Sequence, residues 1–109
     1  MAIKANIVID QGTTFQTTIN VTDENDEIVN LTGYTGAAQL RKHFTSTTSY
    51  AFTVSISPTI GTVTLSMTAN ATANVVAGRY VYDCELTDTN GAVTRLIEGI
   101  ATVTPQVTR

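Results

Sequence analysis

The stretch that decides the fold is residues 78–103, GRYVYDCELTDTNGAVTRLIEGIATV. Apolar side chains recur at alternate positions on both sides of Asn90-Gly91, a dipeptide typical of the tight turn of a β-hairpin. The sequence therefore predicts two long antiparallel strands. Both faces of this hairpin carry apolar residues, so we expect one face to fill the core and the other to need a further cover.

A two-residue turn at Asn90-Gly91 determines which residues of the hairpin lie opposite each other. The pairs predicted to face the core are Cys84 with Ile97, Tyr82 with Gly99, and Tyr80 with Ala101. The pairs predicted on the opposite face are Glu85 with Leu96, Asp83 with Glu98, and Val81 with Ile100.

The opposite face is the candidate partner-binding site, formed by Val81, Leu96, Ile100, Asp83 and Glu98. Contiguous apolar patches mark protein contacts, so this face is interpreted as a subunit contact. Directly opposed carboxylates repel each other, and we expect Arg79, Arg95 or Arg41 to offset that repulsion. The alternatives are a bulge that shifts the register, or a few scattered exposed apolar residues.

Period-two alternation also predicts strands in the rest of the chain. These strands span residues 3–9, 15–22, 28–29, 36–44, 50–56 and 63–67. Residues 68–76 break the alternation and are rich in alanine. A short helical turn is predicted there, because Thr68 is a suitable N-cap and Gly78 lies just beyond its end.

The whole chain, residues 1–109, is predicted to form one domain. About seven strands with one short helical turn before the C-terminal hairpin predict an all-β, immunoglobulin-like β-sandwich. A small barrel is the alternative. Tyr82 stands two residues before Cys84, as tyrosine does at an immunoglobulin tyrosine corner, although a second cysteine and a tryptophan are both absent.

Composition argues against several functions. The net charge is −3 and the six basic residues form no stripe, so nucleic-acid binding is not expected. No apolar run approaches the roughly 20 residues of a membrane helix. The N-terminus lacks the pattern of a signal peptide, which predicts synthesis in the cytoplasm without export.

No catalytic residue, metal site or cofactor is predicted. Cys84, the single cysteine, is expected to be a small buried hydrophobe. His43 has no clustered ligands near it in the sequence, which favours a solvated strand residue over a metal ligand. The paired carboxylates Asp83 and Glu98 suggest acid–base chemistry, but a flat sheet face supplies no pocket for it.

Several short segments in order carry a resemblance. They are Gly12-Thr13-Thr14-Phe15, Leu31-Thr32-Gly33-Tyr34 after the Asp23 turn, Gln39-Leu40-Arg41-Lys42, Gly61-Thr62-Val63-Thr64-Leu65, and Ala77 to Asp83, followed by Gly99 and Val103. This order resembles small immunoglobulin-like virion proteins of tailed bacteriophages, and is similar to the N-terminal domain of upper baseplate proteins. The resemblance implies a non-enzymatic virion protein that binds other virion proteins and forms homo-oligomers in the particle.

The resemblance leaves the role in the particle open. A tail baseplate or fibre-attachment component is the first expectation, and a capsid decoration (cement) protein is the alternative. A carbohydrate-binding surface module is a third. It is disfavoured because the aromatic residues fall on predicted core faces, apart from Tyr34 and Phe44.

Overall fold

The computed structural model describes residues 3–108, which form two β-sheets packed face to face. A short helix connects strands of the two sheets. The strands are β1 (Ile3–Lys4), β2 (Ile7–Asp10), β3 (Phe15–Asn20), β4 (Thr35–Arg41), β5 (Tyr50–Ala51), β6 (Thr53–Ser57), β7 (Thr62–Met67), β8 (Gly78–Thr87) and β9 (Val93–Thr104), and the helix is α1 (Ala69–Ala73).

The larger sheet has the strand order β1-β9-β8-β4-β5, and β2 also pairs with β9. Strands β1 and β2 are two segments of one edge strand, because both keep the same parallel register. Ile3 lies opposite Ile97, and Ile7 lies opposite Ala101. Strand β9 is therefore paired on both sides, by β8 and by the N-terminal segments.

The smaller sheet is antiparallel, with the order β3-β7-β6. The immunoglobulin fold has the same division, with strands B, E and D in one sheet and C, F and G in the other. The predicted immunoglobulin-like β-sandwich is confirmed. The alternative of a barrel is wrong, because the described strands form two separate sheets.

The structure has more strand segments than the sequence predicts because two predicted strands are divided. The N-terminal strand is interrupted at residues 5–6. The strand predicted over residues 50–56 changes sheets: β5 pairs with β4, whereas β6 pairs with β7. One alternating segment thus supplies edge strands to both layers.

The core lies between the inner faces of the two sheets. Strand β7 shows the predicted alternation, since Val63, Leu65 and Met67 are buried. A fully buried leucine or valine side chain contributes about 1.5–3 kcal/mol relative to an exposed one. The largest fully buried side chains are Ile9, Leu31, Leu40, Val63, Leu65, Thr72, Val75, Cys84 and Val103.

The predicted helix is present, and its cap is the predicted one. The side chain of Thr68 accepts a hydrogen bond from the backbone N–H of Ala71 at 3.2 Å. Thr72 is completely buried; its hydroxyl donates to the carbonyl of Thr13 at 2.7 Å and accepts from the N–H of Gly12 at 3.0 Å. These bonds attach the helix to the turn between β2 and β3.

The hydrogen bond of a tyrosine corner is made by Tyr80, and not by Tyr82, whose spacing to Cys84 matches the immunoglobulin pattern. The Tyr80 hydroxyl donates to the carbonyl of Val76 at 2.6 Å, four residues upstream at the entry to β8. The Tyr82 hydroxyl donates instead to the carbonyl of Ala5 at 2.6 Å. The second bond fixes the N-terminal edge strand to the middle of the larger sheet.

Three further predicted strands differ from the observed ones, and the first, predicted over residues 15–22, ends at Asn20. The strand predicted over residues 36–44 ends at Arg41, because a turn begins at His43, whose backbone N–H donates to the Ser46 hydroxyl. At residues 28–29 there is only an isolated bridge between Thr22 and Ile28. Within residues 3–108, no helix has the length and apolar character needed to cross a membrane.

Gly99 is required where the N-terminal edge strand is interrupted. A β-carbon at Gly99 would collide with the backbone carbonyl of Ala5, the group to which Tyr82 donates. The N–H of Ile100 donates to the side-chain oxygen of Asn6 at 3.1 Å, in place of a backbone carbonyl. The absence of a side chain at Gly99 thus permits the close approach of the two strands.

The Gly99→Ala substitution is predicted to destabilise the protein by about 1–3 kcal/mol, the usual cost of overpacking. A backbone carbonyl cannot rotate away as a flexible side chain does, so β1 and β2 must shift. Chemical denaturation measures the free energy of unfolding. Thr102→Ala on the same strand is the control, with an expected change within about 0.5 kcal/mol. Equal stability of the two variants would contradict the role of Gly99.

Candidate functional site

The hairpin of β8 and β9 has a three-residue loop in place of the predicted two-residue turn. The N–H of Gly91 donates to the carbonyl of Asp88 at 3.1 Å, and Gly91 has a positive φ of 85°. The Asp88 carboxylate accepts from the N–H groups of Asn90 and Ala92, both at 2.9 Å. Such local bonding by aspartate favours this longer loop.

The extra loop residue shifts the pairing next to the loop by one position, so that Glu85 lies opposite Arg95. A β-bulge at Leu96 restores the predicted register, because Cys84 again lies opposite Ile97. The predicted core-facing pairs Tyr82 with Gly99 and Tyr80 with Ala101 are confirmed. The bulge therefore compensates for the loop.

Leu96 was predicted on the outward face opposite Glu85, and that prediction is wrong. Leu96 is only 8% exposed, and its neighbour Ile97 is 6% exposed. Consecutive residues of a regular strand point to opposite faces. The bulge breaks that alternation and turns both side chains into the core.

The other four predicted site residues lie together on the outward face of the larger sheet. Val81 is paired with Ile100, and Asp83 is paired with Glu98, as the sequence predicts. All four are partly exposed. Their neighbours on the N-terminal edge strand are Asn6 and Lys4, so the surface continues across three strands.

Arg95 separates the two carboxylates. Its Nε lies 3.5 Å from an Asp83 carboxylate oxygen, and its Nη1 lies 3.3 Å from a Glu98 carboxylate oxygen. Of the three arginines expected to offset the repulsion, Arg95 is the one that contacts both groups. All three side chains remain partly exposed, so these ion pairs contribute little to stability.

Phe44 extends the apolar part of this surface, and sequence reasoning did not include it in the site. Its side chain is 83% exposed, although phenylalanine is usually buried. It lines two open grooves, one of about 220 Å³ with Arg95 and Asp83, and one of about 380 Å³ with Ile100 and Lys4. Val81 lines both grooves as well. The pattern of residues 41–44 alone does not reveal this placement, because it depends on the turn at His43.

The outer patch is the name used below for Phe44, Val81, Ile100, Asp83, Glu98 and Arg95. Phe44, Val81 and Ile100 form its apolar part, and charged side chains of both signs border them. An exposed apolar patch with a polar rim is typical of a protein-binding surface.

Cys84, the single cysteine, is completely buried, as the sequence predicts. Burial raises the pKa of the Cys84 thiol to about 11, and the adjacent Asp83 and Glu85 act in the same direction. The thiol is therefore protonated at neutral pH and unreactive. Across residues 3–108, no three His, Cys, Asp or Glu side chains are placed to hold a metal ion.

A separate cleft of about 450 Å³ lies beside the entry to β8. Its lining combines Lys42, Tyr50 and Tyr80 with the hydroxyl groups of Ser46, Thr47 and Thr48. The Lys42 ammonium lies 5.1 Å from the centre of the Tyr80 ring. Tyr50 was predicted to face the core, but its side chain is partly exposed and lines this cleft.

Neither a comparison with models of protein families nor a search of curated proteins finds a match to this chain.

Leu96→Asp is predicted to unfold the protein or to destabilise it by more than about 3 kcal/mol. Shortening a buried leucine costs about 2–5 kcal/mol, and an unpaired buried charge adds to that cost. Thermal and chemical denaturation measure the effect. Val81→Asp, on the outward face of the neighbouring strand, is expected to unfold near the wild-type midpoint. A fully stable Leu96→Asp protein would place Leu96 on the surface and contradict the bulge.

Proposed function

We propose that this protein is a non-enzymatic structural component of a tailed-bacteriophage particle, located at the tail baseplate or fibre-attachment region. The proposal rests on the resemblance of the sequence to immunoglobulin-like virion proteins and on the shape of the surface. It assigns other virion proteins as partners and the host cytoplasm as the place of synthesis. It assigns no cofactor, nucleic acid or membrane.

The observation that carries the proposal is the outer patch. Phe44 is mostly exposed in the loop after β4, beside Val81 and Ile100 on the outward face of the larger sheet. Leaving such a side chain in water is unfavourable by about 1.5–3 kcal/mol relative to burial. A partner that covers Phe44 recovers this free energy, and the charged border gives the contact its orientation.

A capsid decoration protein is the alternative within the same class, since either role requires one docking surface. Copy number distinguishes them, because a baseplate ring has few copies and a head lattice has hundreds. Mass spectrometry of purified particles, calibrated against the major capsid protein, measures this ratio. We expect a ratio typical of a ring. A ratio near that of the capsid protein would favour decoration, and absence from the particle would contradict both roles.

A carbohydrate-binding role is the candidate from another class, and the cleft at Tyr50 and Tyr80 is the observation that favours it. Aromatic rings beside hydroxyl groups suit sugar recognition. Only Tyr50 is substantially accessible there, because Tyr80 is 5% exposed. We therefore rank this role below particle assembly, and clear binding to an oligosaccharide array would reverse the order.

Val81→Asp is predicted to prevent incorporation into particles while leaving the isolated protein folded. The substitution places a third carboxylate beside Asp83 and Glu98 and removes apolar area next to Phe44. Immunodetection in purified particles measures incorporation, and circular dichroism checks the fold.

The matched control is Val93→Asp, the same change at a valine that is 60% exposed. Val93 lies seven positions from Ile100 on β9, roughly 23 Å at the usual rise of a strand. Normal incorporation is expected for this control. If Val81→Asp is incorporated as well as Val93→Asp, the outer patch is not the docking surface.

A further inference from the structure

We propose that strand β3 is a self-association edge, at which the smaller sheet pairs antiparallel with β3 of a second copy of this chain. This contact is separate from the outer patch, because β3 belongs to the other sheet. The partner is a second copy of the chain, and backbone hydrogen bonds across a two-fold axis join the two molecules.

The first support is that one edge of β3 is unpaired. Val21 and Gly61 continue the pairing of β3 with β7, and the N–H of Val21 donates to the carbonyl of Gly61. Hydrogen-bonded and non-bonded pairs alternate along an antiparallel ladder. Residues 15, 17 and 19 therefore bond to β7, and the backbone groups of Gln16, Thr18 and Asn20 point away from it.

A side-chain contact agrees with this assignment. The hydroxyl oxygens of Thr18 and Thr64 lie 3.1 Å apart. Side chains approach most closely in non-bonded pairs, which places Thr18 in such a pair with Thr64. Among the described residues, the backbone groups of Gln16, Thr18 and Asn20 have no backbone partner, and all three residues are exposed.

The second support is that β3 lacks the features that keep an edge strand from pairing with another chain. Natural edge strands are usually short, interrupted, or provided with lysine or proline. Strand β5 has two residues, and the N-terminal edge strand is interrupted at residues 5–6 and carries Lys4. Strand β3, FQTTIN, is six residues long, without charge, proline or bulge.

The larger sheet does not cover this edge. A groove of about 610 Å³ opens between the two sheets on this side, lined by Ile3 and Leu96 from the larger sheet and by Asn20 from β3. This groove leaves the Asn20 end of the edge open, and the exposure of Gln16 and Thr18 supports the same for the rest of the edge.

The third support is that β3 is self-complementary. A two-fold axis at Thr18 places Thr18 opposite its own copy and Gln16 opposite Asn20 of the second molecule. These pairs form about six backbone hydrogen bonds, two for each pair. Their side chains form hydroxyl–hydroxyl and amide–amide contacts, which are favourable cross-strand pairs, and no like charges meet.

The second copy would extend the outward face of the smaller sheet, whose side chains are all of one chemical kind. Its rows across the smaller sheet are Gln16, Ser66 and Thr53; Thr18, Thr64 and Ser55; and Asn20, Thr62 and Ser57. All nine side chains are polar and uncharged. Joining two copies therefore produces a continuous six-stranded sheet without a charge conflict on either side of the axis.

Cysteine cross-linking tests the register. In a hydrogen-bonded antiparallel pair the Cα atoms are about 5.5 Å apart, within the range of disulfides. Thr18→Cys is expected to form a covalent dimer under mild oxidation, at least about tenfold faster than Thr64→Cys on the central strand. Cys84 does not interfere, because it is completely buried.

Two further cysteine variants test which residues of the two copies lie opposite each other. Gln16→Cys alone is expected not to cross-link to itself, because the two copies lie roughly 13 Å apart along the strand direction. A mixture of Gln16→Cys and Asn20→Cys is expected to give the mixed dimer. The proposal is overturned if Thr18→Cys reacts no faster than Thr64→Cys, or if Gln16→Cys alone dimerises as fast as Thr18→Cys.

Proline provides a second test without cross-linking. The Thr18 N–H points away from β7, so Thr18→Pro removes no bond within the sheet, and proline is tolerated at such edge positions. Sedimentation velocity is expected to show dimers of the wild type and monomers of this variant. If Thr18→Pro does not fold, Thr18→Lys replaces it. A wild type that is monomeric at every soluble concentration, or a dimer that persists in a folded Thr18 variant, contradicts the proposal.

Discussion

The structure depends on the β-bulge at Leu96 in strand β9. This strand is paired on both sides over most of its length, so any change in its register alters the whole larger sheet. The three-residue loop at the hairpin tip shifts the pairing by one residue, and the bulge reverses the shift before Ile97. Without it, the core-facing residues of β9 beyond that point would turn outward.

The bulge also determines which apolar residues of β9 enter the core and which face outward. Leu96 and Ile97 both enter the core, whereas Ile100 faces outward beside Val81. Gly99 makes space for the Ala5 carbonyl between these groups, so the N-terminal edge strand lies against β9 and borders the outer patch. The core and the proposed docking surface thus use neighbouring residues of one strand.

The sequence was sufficient to predict the sandwich, the Thr68 cap and the outward placement of Val81, Asp83, Glu98 and Ile100, because each depends on local periodicity or on short-range hydrogen bonding. It was insufficient for Leu96, since the bulge follows from the bonds that Asp88 makes in the loop. It was insufficient for Phe44, whose exposure depends on where the chain leaves the sheet. The spacing of Tyr82 to Cys84 resembles that of a tyrosine corner, but the position of Tyr80 at the start of β8 determines which tyrosine makes the bond.

The most direct test of whether a bulge at Leu96 sets the register is NMR spectroscopy of the isolated protein. The measurement is the set of NOEs between backbone protons of β8 and β9. We expect contacts of Thr87 with Val93 on one side of the bulge and of Cys84 with Ile97 on the other. Contacts of Thr87 with Thr94 in place of Val93 would show an uninterrupted ladder from a two-residue turn. That result would return Leu96 to the outward face and exclude the bulge.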